Sequence, residues 1–164
     1  MAEVSNSKLL TTDTGILNKD ACIVIVKTEW NAAIVDELER GCREVLVASE
    51  VREVRTIVVP GAVEIPFAVK KFWDTNYDTH QRPAAFIALG CVVKGDTPHF
   101  EYVCQTVTQG VLQLNLTLPV PTVFGVLTVN NNEQAHQRIG GKHGHKGQEA
   151  AITALKMITV VQSF

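Results

Sequence analysis

Short apolar runs recur along the chain, and each is separated from the next by enough residues to form a helix. Four of these runs predict strands, and they cover residues 21–26, 54–59, 84–89 and 122–129. The first and third runs are apolar at every position. That pattern is typical of strands that are buried on both faces, as in parallel sheets.

The segments between these runs carry apolar residues at steps of three and four, which is helical spacing. The predicted helices cover residues 31–48, 65–72, 98–118, 131–138 and 150–161. Asn31 is a candidate N-cap for the first of them. Strands that alternate with helices predict an α/β fold with three layers, αβα, around a four-stranded parallel sheet.

The start of the chain lacks such a pattern. Residues 1–20 are polar and mixed, so we expect a loose N-terminal arm with one short edge strand near residues 8–10. Residues 21–164 are then expected to form one domain, because a chain of 164 residues has the size of a single domain.

Composition and charge narrow the classes of partner. A net charge of −2 gives no indication of a nucleic-acid partner or of an anionic membrane surface. No apolar run approaches the roughly 20 residues that span a bilayer, and residues 1–6 do not resemble a signal peptide. Cys22, Cys42, Cys91 and Cys104 form no CxxC pair. Buried free thiols in a reducing compartment explain them, so we expect a soluble cytoplasmic protein.

The segment after the third run contains the strongest candidate chemistry, since ligands of parallel sheets bind at the carboxyl ends of strands. Residues 90–98 are predicted to form a strand-to-helix turn, in which Gly95 frees the backbone, Thr97 caps the helix and Pro98 begins it. Unpaired N–H groups at such a turn bind anions, phosphate above all. His99 lies beside them and can carry protons near neutral pH. We therefore expect an active site here, the alternative being that His99 is only a polar residue of the first turn.

Other candidates have a structural and a functional interpretation. Trp30 is either a lid on the core, which is slightly favoured on its own, or a platform for a ligand ring. Glu64 complements a helix dipole by default, although it could bind ligand hydroxyls. His143 and His145 are a weak metal signal between two lysines, so an anion is the better hypothesis for this segment. Arg138 is of the type that grips phosphate with two donors.

Several segments together resemble the lumazine synthases. They are VPGAVEIP at residues 59–66, GDTPHFEYV at 95–103, FGVLT at 124–128, and EQA at 133–135 followed by RIGGKHGHKG at 138–147. The match runs in the family's order from about Ile23 to the C-terminus. The resemblance implies a flavodoxin-like fold that assembles as homopentamers, with each active site between neighbouring subunits.

The resemblance also implies the reaction. The family condenses 5-amino-6-(D-ribitylamino)uracil with 3,4-dihydroxy-2-butanone 4-phosphate, as a transferase of riboflavin biosynthesis. The products are 6,7-dimethyl-8-ribityllumazine, phosphate and water, and the family requires no cofactor and no metal.

The resemblance assigns the pyrimidine substrate to residues of one subunit. Trp30 matches the aromatic residue that stacks on the ring, and Val92 and Val93 match the strand edge that reads it. Val63 and Glu64 match residues that contact the pyrimidine and its ribityl chain.

Phosphate binding and proton transfer are assigned to two subunits together. His99 matches the proton-transfer histidine of the first subunit, and the turn whose backbone holds the phosphate comprises Gly95, Asp96 and Thr97. The neighbour supplies Phe124, Arg138 and Lys146. Of these, Arg138 binds the phosphate and Lys146 lies near the ribityl and reacting groups. Asp96 departs from the small neutral residue that is frequent there, and its carboxylate is compatible with phosphate only if it points away.

Two further functions fit the same fold. One is a protein that binds a lumazine or flavin without turnover, against which His99, Arg138 and Lys146 argue together. The other is a structural container, since some members of the family build icosahedral shells, and this role could coexist with catalysis. Riboflavin synthase is a candidate protein partner of such a shell.

Overall fold

The computed structural model describes residues 21–164, and the edge strand predicted near residues 8–10 lies outside them. A parallel sheet of four strands in the order β2-β1-β3-β4 forms the centre of the described chain. The strands are β1 (Cys22–Thr28), β2 (Glu53–Val59), β3 (Pro83–Val93) and β4 (Thr122–Val129). The predicted α/β fold with a four-stranded parallel sheet is confirmed.

Helices cover both faces of this sheet. They are α1 (Ala32–Ala48), α2 (Ile65–Asn76), α3 (His99–Thr117), α4 (Asn132–His136) and α5 (Lys146–Gln162). A short 3-10 turn, Ala62–Glu64, precedes α2. Among residues 21–164, no helix has the length and apolar character that would let it cross a membrane.

Alternate residues of each central strand enter two different cores. Ile23 and Ile25 of β1 pack with residues of α1 and α5 on one face. Val24 and Val26 of the same strand pack with residues of α2 and α3 on the other. Burying an aliphatic side chain of this size stabilises the fold by roughly 1.5–3 kcal/mol. The continuous apolar runs of the sequence therefore reflect burial on both faces.

The cysteines follow the expectation of free thiols. All four are unpaired, and Cys104 alone is only half-buried. Burial raises the pKa of the Cys42 thiol to about 12. Burial likewise raises the pKa of Cys22 and that of Cys91 to about 11. These thiols are consequently protonated and unreactive near neutral pH.

Two local predictions were wrong. Residues 90–93 belong to β3 and not to a turn, so the connection to α3 shrinks to residues 94–98. The glycine-rich segment after Arg138 was predicted to contain no strand, but it forms an antiparallel hairpin of β5 (Ile139–Gly141) and β6 (Gly144–His145). The last helix consequently begins at Lys146, four residues earlier than Ala150.

Candidate active site

A cavity of 480 Å³ opens where β1 and β3 end, and we call it the carboxyl-end cavity. Six of the residues assigned to substrate or proton transfer line it: Trp30, Val63, Glu64, Val92, Val93 and His99. The parallel sheet explains this grouping, since the carboxyl ends of its strands meet at one edge. The structure thus brings the proposed pyrimidine contacts and His99 together.

Trp30 stands exposed beside this cavity. It follows β1, and its side chain is 73% exposed, so the interpretation of Trp30 as a lid on the core is wrong. The backbone is nevertheless held firmly. The Trp30 N–H donates to the Pro60 carbonyl at 3.2 Å, and the Thr28 hydroxyl donates to the Trp30 carbonyl at 3.2 Å. A fixed backbone under an exposed indole is suited to stacking on a planar ring.

Asn31 is a residue whose role the sequence did not reveal. It occupies the N-cap position of α1, but its side chain does not cap the helix. Its backbone is left-handed, with φ 59°, and the amide Nδ2 donates to the Cys91 carbonyl at 2.8 Å. Asparagine is among the few non-glycine residues that tolerate this conformation. Asn31 therefore ties the loop of Trp30 to the end of β3.

Glu64 closes the turn between β2 and α2. Its Oε2 accepts a hydrogen bond from the Gly61 N–H at 2.9 Å, so Glu64 has a structural role at the start of the 3-10 turn. The side chain is exposed and lines the carboxyl-end cavity. One carboxylate accepts several hydrogen bonds, so this contact leaves capacity for ligand hydroxyls.

The connection from β3 to α3 does not have the predicted local structure. Gly95 is not left-handed, and a Cβ at this position would meet no atom within 4 Å, so the backbone does not require glycine there. Thr97 does not cap α3, because Pro98 occupies the N-cap position without a side-chain cap. Gly95, Asp96 and Thr97 are all exposed.

The anion site expected at this connection retains its donors. Within residues 21–164, the backbone N–H groups of Gly95, Asp96, Thr97 and His99 have no hydrogen-bond partner. His99 is the first residue of α3, and its exposed imidazole lines the carboxyl-end cavity. Free donors at the start of a helix of 19 residues favour an anion beside this imidazole.

A second cavity, of 570 Å³, runs along the outer side of β4, and we call it the β4 groove. Phe124, Arg138 and Lys146 all line it. Phe124 projects from β4 with 41% of its surface exposed. Arg138 follows α4, and Lys146 begins α5, so the hairpin between them holds both cations over the groove.

The two cations of the β4 groove are held in different ways. The Arg138 guanidinium donates from Nη1 to the Gln134 carbonyl at 2.7 Å. Its buried Nε has no partner within the described residues. The Lys146 ammonium contacts both carboxylate oxygens of Glu149 at 2.8 Å. Arg138 therefore retains donors for a ligand, whereas the charge of Lys146 is already balanced.

The proposed site residues thus divide between two separate places on one chain. The carboxyl-end cavity and the β4 groove share no lining residue in the part of the chain that the structure describes. Among residues 21–164, no lysine or arginine lines the carboxyl-end cavity, although His99 lines it and the proposed anion site directly precedes His99 in the chain. The three residues expected from the neighbour line the β4 groove, and six of those expected from the first subunit line the carboxyl-end cavity. The other three, residues 95–97, line neither cavity and lie in the connection between Val93 and His99.

Comparison with known proteins identifies relatives along most of the chain. The sequence profile of the 6,7-dimethyl-8-ribityllumazine synthase family matches residues 20–162. The chain is 48% identical over 141 residues to a 6,7-dimethyl-8-ribityllumazine synthase of Bacteroides fragilis, which covers 85% of this chain and 95% of that protein. It is 49% identical over 142 residues to the Porphyromonas gingivalis protein of the same name, covering 85% of this chain and 84% of that protein.

Proposed function

The chain belongs to the 6,7-dimethyl-8-ribityllumazine synthase family, and we propose that it condenses 5-amino-6-(D-ribitylamino)uracil with 3,4-dihydroxy-2-butanone 4-phosphate at sites shared by neighbouring subunits. The family consists of transferases of riboflavin biosynthesis that act on small molecules and form oligomers. The pairing of subunits in a homopentamer, the reaction at each shared site and a cytoplasmic location belong to the proposal.

The separation of the two cavities is the observation that carries this proposal. A phosphate ester binds tightly where a cation complements the backbone donors. Within the part of the chain that the structure describes, the carboxyl-end cavity has unpaired N–H groups close by in sequence but no lysine or arginine in its lining. The β4 groove has the cations Arg138 and Lys146 but is lined by neither His99 nor Trp30. A second copy that places its β4 groove against the carboxyl-end cavity supplies what each half lacks.

Each half then has a distinct task. The exposed indole of Trp30 stacks on the pyrimidine, and Val92 and Val93 border the ring. Val63 and Glu64 contact the pyrimidine and the ribityl hydroxyls.

The phosphate is held by the donors of both halves. On one side are the backbone N–H groups of Gly95, Asp96 and Thr97. On the other side is the Arg138 guanidinium of the neighbour, with its Lys146 and Phe124 closing the site.

The reaction needs protons and a leaving group. The 5-amino group of the uracil attacks the ketone and one water leaves, and phosphate is then eliminated. The ribitylamino nitrogen closes the second ring on the remaining carbonyl, and a second water leaves. His99 moves protons in these steps, which contributes typically ~10²–10⁴-fold in rate. Arg138 and the backbone donors meet the charge of the departing phosphate. Holding two substrates in one orientation supplies a further large part of the rate.

A direct assay tests the proposal. Purified full-length protein is mixed with both substrates, and the lumazine product is followed by its absorbance and fluorescence, with inorganic phosphate measured in parallel. Equal amounts of lumazine and phosphate are expected. If the protein binds a lumazine or flavin but releases no phosphate, it is a binding protein of the same fold and not a synthase. Size measurement of the same sample separates a pentamer from a shell, and added riboflavin synthase tests that partner.

A further inference from the structure

His145 is a buried side chain to which the reaction gives no task. Only 7% of its side chain is exposed. Neither ring nitrogen has a hydrogen-bond partner within the described residues. Burying a polar group without a hydrogen bond costs free energy, so such a group calls for an explanation.

The imidazole occupies a notch in α1 that only a glycine can leave open. A Cβ added at Gly41 would lie 2.1 Å from Cε1 and 2.5 Å from both nitrogens of the His145 ring. The start of α5 is equally close to α1, since a Cβ at Gly147 would lie 2.0 Å from the Leu38 carbonyl oxygen. The hairpin and α5 are therefore seated on α1 without room for adjustment.

A fixed negative charge faces the ring in this notch. His145 Nε2 lies 3.6 Å from Glu37 Oε1. Arg40 holds that carboxylate through its Nε, at 2.8 Å from Oε2, and through Nη2. Hydrogen bonding from Arg40 lowers the pKa of the Glu37 carboxyl to about 2, so Glu37 is ionised at any working pH. This distance is just beyond that of a hydrogen bond, so the ring faces the carboxylate without being bonded to it.

The position of this ring is transmitted to both cations of the β4 groove. His145 pairs with Ile139 across the hairpin, and these residues directly adjoin Lys146 and Arg138. The Lys146 N–H also donates to the Arg138 carbonyl at 2.8 Å. Displacement of the ring would therefore shift the backbone of both cations together.

We propose that His145 is a positioning residue: its imidazole, seated against Gly41 and facing Glu37, sets the placement of Arg138 and Lys146 and thereby the affinity for the phosphate-bearing substrate. This inference rests on the proposed function for the role of Arg138. The competing interpretation is that His145 only fills space between α1 and the hairpin, in which case its loss would lower stability without favouring one substrate over the other.

The contact between Gly41 and the His145 ring can be disturbed by two different substitutions. Gly41→Ala pushes the ring out with a methyl group, and His145→Ala removes it. Each variant is expected to raise the KM for the butanone phosphate by roughly tenfold, which corresponds to a loss of about 1.4 kcal/mol in binding free energy. The inhibition constant of inorganic phosphate should rise by the same factor. The KM for the pyrimidine should change by less than about twofold, because the residues that hold its ring line the carboxyl-end cavity and Lys146 is already paired with Glu149.

The double variant Gly41→Ala, His145→Ala distinguishes a shared cause from two separate ones. Because the methyl group added by Gly41→Ala has no ring to displace once His145 is gone, the double variant should be no worse than His145→Ala alone. The increase in KM for the double variant would then be roughly tenfold smaller than the product of the two single increases. A discrepancy of this size lies within the coupling range of residues in contact.

Gly110→Ala is the matched control. Gly110 lies within α3, and a Cβ there would be 2.3 Å from Pro66 Cγ, so this substitution creates a similar clash away from the hairpin. It should lower the melting temperature as much as Gly41→Ala without a selective change in the KM for the butanone phosphate.

Arg138→Ala, measured in parallel, separates this inference from the proposed function. If Arg138→Ala weakens phosphate binding while the ring variants change both KM values alike, the positioning role is wrong and the assignment of Arg138 stands. If Arg138→Ala leaves phosphate binding unchanged, the assignment of Arg138 is wrong, and the inference about His145 fails with it.

Discussion

Arg138 and Lys146 carry the same charge into the β4 groove but do not have the same freedom to bind a ligand. Glu149 already contacts the Lys146 ammonium through both of its oxygens. Among residues 21–164, the Arg138 guanidinium makes one hydrogen bond, to the Gln134 carbonyl, and it has five donors in all. Arg138 is therefore the better candidate for the main phosphate contact, and Lys146 is the better candidate for a local role near the reacting groups.

Arg138→Ala is expected to raise the KM for the butanone phosphate far more than the KM for the pyrimidine. The loss of a charge-assisted hydrogen bond costs roughly 1.5–3 kcal/mol, which corresponds to about 10- to 150-fold. Steady-state kinetics with each substrate varied in turn measures both constants. Arg138→Lys is the control, because it keeps the positive charge but loses the planar guanidinium that can bind phosphate through two donors. It should recover only part of the affinity. An equal rise in both constants would contradict the assignment.

His99→Ala is expected to lower kcat and leave both KM values almost unchanged. The imidazole lines the carboxyl-end cavity, and no described residue forms a hydrogen bond with it, so its removal disturbs little of the surrounding structure. General acid–base catalysis contributes ~10²–10⁴-fold, and water in the enlarged cavity will replace part of that. The measurement is kcat across a pH series. If wild type and variant have the same profile, His99 is only a structural residue.

Single positions also mark the limit of what the sequence could predict. His99 was correctly placed in the first turn of α3, since Pro98 fixes where that helix begins. From residue type alone, Gly95 was predicted to free the backbone and Thr97 to cap α3, and the structure shows neither of these two roles. The bond from Asn31 to the Cys91 carbonyl joins residues 60 positions apart, and no local pattern could have predicted it.

At the scale of elements, an ion-pair network joins β1, α1 and β2 close to the sheet. Lys27 contacts Asp36 at 2.7 Å and Glu39 at 2.6 Å. Glu39 also accepts from Arg43 and from the Thr56 hydroxyl, both at 2.7 Å. Burial by itself would raise the pKa of Glu39, but these hydrogen bonds outweigh it and lower the pKa to about 2. The folded chain thus stabilises the ionised form of this carboxyl.

Glu39→Gln is therefore expected to destabilise the fold in a pH-dependent way. The pKa of Glu39 falls from an ordinary 4.5 to about 2 on folding, so its contribution is complete above pH 4.5 and is lost as the pH falls towards 2. The free energy of unfolding should be roughly 1.5–3 kcal/mol lower than that of wild type at pH 7. This difference should shrink steadily in urea titrations below pH 4.5 at a fixed protein concentration.

Glu44→Gln is the control for this experiment, since Glu44 is a half-exposed partner of Arg40 on the same helix. Exposed pairs contribute about 0–1 kcal/mol, so this variant should unfold much like wild type at every pH. A difference between Glu39→Gln and wild type that stays constant below pH 4.5 would show that the network does not depend on the charge of Glu39.

The elements themselves were largely predictable because burial on both faces produces continuous apolar runs. β4 was predicted with its observed bounds, Thr122–Val129. β3 was predicted to end before Gly90, because glycine usually interrupts strands. The strand continues through Gly90, where the glycine permits close packing against β1. A Cβ at this position would lie 3.3 Å from the Thr28 side chain. The hairpin was missed because Gly140 and Gly144, both with positive φ, resemble an irregular loop in sequence.

At the scale of the whole molecule, the two edges of the described sheet are the places where another chain could pair. The order β2-β1-β3-β4 leaves β2 and β4 with a strand on one side only, within the described residues. Exposed apolar side chains accompany both edges, with Val58 on β2, Phe67 near it and Phe124 on β4. Two different edges on one chain suit the head-to-tail arrangement that we propose. Such an arrangement forms a ring with one shared site per subunit when the rotation between neighbours closes.

Mixed rings test whether the active site is shared. Equal amounts of His99→Ala and Arg138→Ala protein are unfolded together and refolded as a mixture, and mass spectrometry confirms that the rings contain both chains. With random order, an Arg138→Ala chain supplies an intact His99 to half of the sites, and its neighbour is a His99→Ala chain with an intact Arg138 half of the time. About a quarter of the sites then have both groups, so activity should rise clearly above the mean of the two refolded parents.

The matched control mixes His99→Ala with Trp30→Ala. Both residues line the carboxyl-end cavity of the same chain, so random mixing gives no site in which both are intact, and activity should equal the mean of those parents. A rise in the first mixture alone therefore requires that His99 and Arg138 act together from different chains. If both mixtures only average their parents although mixed rings are present, each site lies within one chain. The two cavities of the monomer would then have to be joined by a movement of the hairpin and not by a neighbour.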